Sequence, residues 1–128
     1  GLVIAGDMVA SIGSIIVEPR DGDMQHYLDS LDRLLALEPT GLLPAHGAFI
    51  EDAAGRLNGY RQHRLWREAR IIEALARDPS PLSEVTRKAY REVHATILWL
   101  AEQSAHAHLL KLQSEKRAGL SDDGWSAL

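Results

Sequence analysis

Two short apolar runs, each ending beside a glycine and a polar residue, constrain this chain more than any other feature. Leu2-Val3-Ile4-Ala5 ends at Gly6-Asp7, and Leu42-Leu43-Pro44 runs through Ala45 into His46-Gly47. Short runs of branched apolar residues bounded by turn formers read as buried strands. Between them Tyr27, Leu28, Leu31, Leu34 and Leu35 recur at helical spacing, from the turn and N-cap of Asp21-Gly22-Asp23 to the stop at Glu38-Pro39. The order strand, helix, strand predicts a parallel βαβ unit. Asp7 and His46 then stand at equivalent C-terminal ends of their strands, the edge of an open α/β sheet where ligands bind. β-branched Ile15-Ile16-Val17 predicts a further short strand, stopped by Pro19.

From about Arg56 the pattern turns helical. A first helix is expected to about Arg77, with Tyr60, Leu65, Ala69, Ile72 and Leu75 near one face, and Asp78-Pro79-Ser80-Pro81 ends it. A short helix follows from Ser83 through Val85, Ala89 and Tyr90. A longer one spans roughly His94 to Lys116, with Ile97, Leu98, Ala101, Ala105, His108, Leu109 and Leu112 inward. Ala118-Gly119-Leu120, the Asp123-Gly124 turn and Trp125-Ser126-Ala127-Leu128 read as a β-hairpin. Three helices and a hairpin is the order of a winged helix. Charge divides the chain at the same place: residues 1–54 hold two arginines against nine carboxylates, and residues 55–128 hold twelve lysines and arginines against nine. Two modules, 1–54 and 55–128, are therefore expected.

With no cysteine in 128 residues, disulfides, thiolate ligands and a thiol nucleophile are all excluded. Any metal must be held by His, Asp or Glu, and zinc, iron and manganese all fit such donors. The apolar runs fall far short of the ~20 residues that cross a bilayer. No basic-then-apolar leader opens the chain, so a soluble cytoplasmic protein with no membrane partner is expected. The start at Gly1, directly into an apolar strand and without Met, suggests that an N-terminal part is missing.

Taken alone, an Asp after a Gly is commonly a turn former and a lone His beside a Gly is commonly structural. The surrounding pattern carries more: strand-Gly6-Asp7, Pro19-x-Asp21-Gly22-Asp23, Tyr27-x-x-Ser30-Leu31-x-x-Leu34, Leu43-Pro44-Ala45-His46-Gly47, and Ala107-His108-Leu109-Leu110-Lys111-Leu112 followed by Glu-Lys-Arg. Over essentially its whole length the chain resembles the second half of the metallo-β-lactamase superfamily, in the glyoxalase-II-like branch that ends in a winged-helix extension. The resemblance implies an αββα sandwich, of which residues 1–54 are an incomplete half, and a pair of metal ions, usually zinc. Asp7 matches the bridging aspartate and His46 the last histidine. A carboxylate can face two cations at once, and a hydroxide between them is nucleophilic at neutral pH.

The remaining ligands are absent from this sequence. No H-x-H-x-D-H occurs, and His106-Ala107-His108 sits in a helix, where alternate positions point about 200° apart and cannot chelate one ion. His108 is expected as a partly buried core histidine; His26, His63 and His94 receive no role. Ala45 stands where the family usually has Gly, a mild change. Arg56, Arg61, Arg64, Arg67 and Arg70 are expected on a solvated face, with Arg64–Glu68 and Glu73–Arg77 as i,i+4 partners. Lys111, Lys116 and Arg117 against Glu102 and Glu115 are too few for a phosphate-binding stripe, so no nucleic-acid-binding residues are assigned.

The resulting expectation is a piece of a metal-dependent hydrolase acting on an ester, thioester or phosphodiester, whether a small molecule or RNA. Its two metal ions belong to the parent protein, and this piece alone is expected to hold none and to be inactive. The alternative is a nucleic-acid-binding winged helix fused to a non-catalytic lactamase-like remnant. The uncovered strands, among them Leu2, Val3, Ile4, Leu42 and Leu43, are expected to drive homodimerisation.

Overall fold

A computed structural model describes residues 1–9, 17 and 23–128 of the chain. Packing divides these into two compact units, one holding residues 1–9 and Gln25–Leu65, the other residues 17, 23–24 and Trp66–Leu128. The expected strand at Ile15-Ile16-Val17 and turn at Asp21-Gly22-Asp23 lie largely outside the described residues.

In the first unit, β1 (Leu2–Gly6), α1 (Met24–Ala36) and β2 (Gly41–Pro44) follow in the order expected. β1 and β2 pair in parallel, Leu2 opposite Gly41, Val3 opposite Leu42 and Ile4 opposite Leu43. The far edge of β2 is closed at one point by an antiparallel bridge, Leu42 and Ile50 exchanging N–H···O bonds of 2.9 and 3.0 Å. Tyr27, Leu28 and Leu31 form the buried stripe of α1, as their spacing requires, and Leu42, Ile50, Leu57 and Tyr60 are buried in the same unit. The opposite strand face is bare: Leu2, Ile4, Leu43 and Phe49 are all exposed, Ile4 at 83 %. Phe49 does lie over Gly41, whose absent Cβ would fall 2.3 Å from the ring.

α2 runs Ala53–Ala74, starting and ending about three residues before the expected span. Its start is set by Asp52, whose carboxylate accepts the Gly55 N–H at 2.9 Å. The buried face of α2 differs from the expected one. Leu65 and Ala69 are exposed, whereas Leu57, Tyr60, Arg64, Arg67, Glu68 and Ile71 are buried. Arg64 and Arg67 therefore do not belong to a solvated face, and Glu68 turns to α4 partners instead of Arg64. The reason is tertiary. The Arg64 guanidinium lies 5.3 Å over the Tyr27 ring, while Arg67 stacks 3.9 Å from Tyr90, bonds the Ala89 carbonyl and pairs with Glu92. The expected Glu73–Arg77 pair is replaced by Arg70–Glu73 at 2.8 Å.

The second unit is the expected winged helix: the end of α2, α3 (Leu82–Ala89), a 3-10 turn (Ala95–Ile97), α4 (Leu98–Ser114), and the hairpin β3 (Ala118–Ser121) and β4 (Gly124–Ala127). Ile71, Val85, Ala89, Tyr90, Ala105, Leu109, Leu112 and Trp125 make its core. Ile97 is exposed rather than inward, because the chain reaches it as a 3-10 turn. His94, given no role from the sequence, caps that turn by accepting the Thr96 N–H at 3.2 Å. The wing is anchored by a two-way bond between Ser80 and Trp125, at 2.9 and 2.8 Å. Gly124 sits beneath it at φ +126°, where a Cβ would meet the Ser80 carbonyl. α4 closes in a Schellman motif, with Lys116 N–H to Gln113 O at 3.0 Å and Arg117 N–H to Leu112 O at 2.8 Å. Lys116 takes the left-handed conformation, φ +59°, that glycine usually fills.

His108 is wholly buried, with Nδ1 3.5 Å from the Glu68 carboxylate. Glu68 also holds Lys111 at 3.0 Å, and Glu115 holds Lys111 at 3.2 Å. Lys111 is thus a buried, neutralised cation and not the outward one its sequence position suggested. No helix among the described residues is long and apolar enough to cross a membrane.

Candidate functional site

Local geometry brings the two strand ends together. The register of β1 on β2 shifts between Ile4 and Gly6, so Gly6 pairs with Pro44, and the Ala45 N–H bonds the Gly6 carbonyl at 2.8 Å. Such a bulge re-aims the side chains that follow it. Gly6, the last residue of β1, at φ +56°, and Gly47, three residues past β2, at φ +93°, take a backbone conformation costly for residues bearing a Cβ. The loop after Asp7 is tied down by the Met8 N–H to the Ala5 carbonyl at 3.1 Å, and by the Tyr27 hydroxyl, which donates to the Met8 carbonyl at 3.1 Å. Burial pushes the Tyr27 phenol above its ordinary pKa, with Arg64 opposing, so the hydroxyl keeps its proton for that bond.

As a result His46 Nε2 and Asp7 Oδ1 lie 3.3 Å apart, with both side chains open to solvent, 86 % and 80 % exposed respectively. Two donors bound tetrahedrally at the ~2.0–2.2 Å usual for Zn–N and Zn–O stand about 3.4 Å apart. The pair therefore fits two adjacent positions around one cation, a carboxylate oxygen and an imidazole nitrogen. Among the described residues no group of three or more His, Cys, Asp or Glu side chains is placed to hold a metal ion. His106 and His108 do not converge: His106 meets Trp125 edge-on at 6.1 Å, and His108 is held at Glu68. His26 and His63 are exposed on α1 and α2.

The winged-helix unit offers no basic stripe. Its groove of about 260 Å³ is lined by Trp66, Arg70, Lys88 and Arg91, but also by Glu73 and Glu92. Arg70 is already paired with Glu73, and Lys88 with Glu84 at 2.9 Å.

A parallel strand pair presenting Asp and His at its C-terminal edge, followed in the chain by a winged helix, defines an α/β protein with a candidate metal-binding edge. Comparison with known proteins gives the likeness of both units. Residues 82–125 match the β-lactamase associated winged helix domain. The chain is 27% identical over 124 residues to β-lactamase-like protein 2 homolog of Drosophila melanogaster, covering 94% of this chain and 41% of that protein. It is 37% identical over 75 residues to lactamase-like protein nscB of Trichophyton rubrum, covering 59% of this chain and 22% of that protein. Among solved structures, a metallo-β-lactamase family protein from Thermus thermophilus superposes with a TM-score of 0.80 at 22% identity, over 98% of this chain and 42% of its own. A β-lactamase domain protein from Burkholderia ambifaria gives 0.77 at 25% identity, over 98% and 41%. Residues 82–125 thus carry the likeness to the β-lactamase associated winged helix, and the chain is similar over nearly its whole length to part of these β-lactamase-like and metallo-β-lactamase family proteins. It spans about two fifths of the length of the Drosophila relative and of both solved chains.

Proposed function

We propose that the chain is part of a metal-dependent hydrolase of the glyoxalase-II-like branch, in which Asp7 and His46 are two ligands of a dinuclear centre, with zinc as the metal. The observation that carries this reading is the 3.3 Å approach of Nε2 and Oδ1 at the ends of two adjacent parallel strands. The other ligands would come from outside the described residues. Divalent cations there would lower the pKa of a water to near neutrality and polarise a scissile carbonyl or phosphoryl group. The chain's own contribution is positional. The Ala45–Gly6 backbone bond and the Tyr27–Met8 bond hold the two strand ends beside each other, so the backbone bearing the donors needs little ordering on binding.

An ester, a thioester or an RNA phosphodiester is the substrate class this chemistry serves. A nucleic-acid-binding winged helix on a non-catalytic remnant is disfavoured by the buried, paired state of Lys111. The test uses the zinc-loaded protein that carries this chain together with the rest of the superfamily fold. Asp7→Asn and His46→Ala should each lower kcat/KM for its best ester, thioester or phosphodiester substrate by about a hundredfold or more. Activity within about threefold of the parent in both variants would overturn the assignment.

A further inference from the structure

Arg64 is only 5 % exposed, and its Nε and Nη2 are buried with no hydrogen-bond partner among the described residues. Shutting a guanidinium away from water without those bonds opposes folding, and an apolar side chain of similar length would serve packing better. Departures of that kind concentrate at functional sites. What the cation does contact is Tyr27, whose ring centroid lies 5.3 Å from it. Tyr27 leads to the candidate metal edge. Its hydroxyl donates to the Met8 carbonyl at 3.1 Å, and the Met8 N–H bonds the Ala5 carbonyl at 3.1 Å, closing a turn of residues 5–8 in which Asp7 is the third residue. The direction of the Asp7 side chain follows from the backbone of that turn. We infer that Arg64 is a positioning residue for the metal-binding edge, acting through Tyr27 on the turn that carries Asp7. The inference rests on the reading of Asp7 as a ligand and adds a residue of α2 that serves it.

Arg64, Tyr27 and the turn all belong to the first unit. The cation acts on Tyr27 in two ways. Stacked on the ring face, it limits where the ring, and with it the hydroxyl, can point. Burial raises the phenol pKa and the Arg64 charge works against that rise, which makes the hydroxyl a stronger donor to Met8 than burial alone would leave it. Groups that orient a metal ligand in this indirect way are worth about 10–100-fold in metal affinity.

Arg64→Met, Tyr27→Phe and the double variant test the inference, made in the protein that carries this chain with the rest of its fold. Zinc affinity by chelator competition and the Tm of the metal-free protein are read side by side. Arg64→Met should lower zinc affinity about tenfold or more while leaving Tm unchanged or raised, a split that a merely structural residue does not give. Tyr27→Phe should lower affinity at least as far, and adding Arg64→Met to it should cost no more than about twofold further, because the arginine acts through the hydroxyl. The Met8 amide of the metal-free protein should exchange with solvent about tenfold faster in both single variants. Zinc affinity within about twofold of the parent in Arg64→Met, with Asp7→Asn still losing it, would overturn the positioning role and leave the ligand reading standing. Affinity retained in Asp7→Asn would overturn the ligand reading and the inference with it. Additive losses in the double variant, or affinity and Tm falling together in Arg64→Met, would make Arg64 a support of the fold and overturn the role assigned to it.

Discussion

Glu68→Gln offers the sharpest test of how the winged-helix unit is held together. The Glu68 carboxylate, on α2, is buried against Lys111 at 3.0 Å and His108 at 3.5 Å, with Arg117 at 3.9 Å. Removing its charge strands Lys111, whose side chain is only 8 % exposed. Breaking a buried pair from one side costs about 3–5 kcal/mol. Glu115 stays 3.2 Å from Lys111, which places the expected loss at the low end, about 3 kcal/mol at neutral pH. For a unit of this size that is a drop of roughly 10–20 °C in Tm.

The pH dependence has a definite sign. Burial alone would raise the Glu68 pKa, but hydrogen bonds from His108 and Lys111, together with their charges, outweigh it and hold it below the ordinary value of 4.5. A depressed carboxyl stabilises the fold above its unfolded pKa and loses that contribution as pH falls through its folded pKa. The gap between parent and Glu68→Gln should therefore be full at pH 7 and close progressively below about pH 4.5. Urea denaturation at both pH values measures it. A gap under about 1 kcal/mol at pH 7, or one that persists unchanged in acid, would refute the reasoning.

Three further outcomes follow from the same geometry. As a monomer the chain should show no submicromolar one-to-one zinc site and no hydrolysis of generic ester or lactam substrates, since two donors cannot enclose a cation; calorimetry and an activity assay check this. Residues 55–128 alone should unfold cooperatively, and Trp125→Ala within that segment should cost about 3–5 kcal/mol because the indole is buried beneath the wing; a broad, non-cooperative melt would count against the domain boundary. Lys116→Gly should stabilise the chain by about 1 kcal/mol in urea, by relieving the left-handed backbone at the end of α4.

What the sequence made legible were the features written in local patterns. The apolar run into Gly6-Asp7, the helix with Leu28 and Leu31 inward, and the Asp123-Gly124 turn of the wing all stand where their spacing put them. Asp7 and His46 stand out as a candidate pair through their shared strand edge and the resemblance of the surrounding pattern, since a glycine beside each is by itself only a turn signal. Their 3.3 Å separation was not legible, since it depends on the register shift between Ile4 and Gly6. The inward face of α2 was misread for a related reason. Arg64, Arg67 and Glu68 are charged residues that pattern alone sends to solvent, and their partners Tyr27, Tyr90 and Lys111 lie far away in sequence. The charge shift at Ala54 marks the start of α2 at Ala53, whereas packing divides the chain further along that helix, between Leu65 and Trp66.

The central claim, that Asp7 and His46 together form a metal-binding edge, is tested most directly by adding substoichiometric paramagnetic cobalt(II) to the isotopically labelled chain and mapping the loss of amide and imidazole signals. The account predicts broadening centred on Gly6, Asp7, His46 and Gly47, with the His46 ring the first of the six histidine rings to vanish. Broadening centred instead on His26, His63, His94 or His106, with the signals around Asp7 and His46 intact, would contradict it.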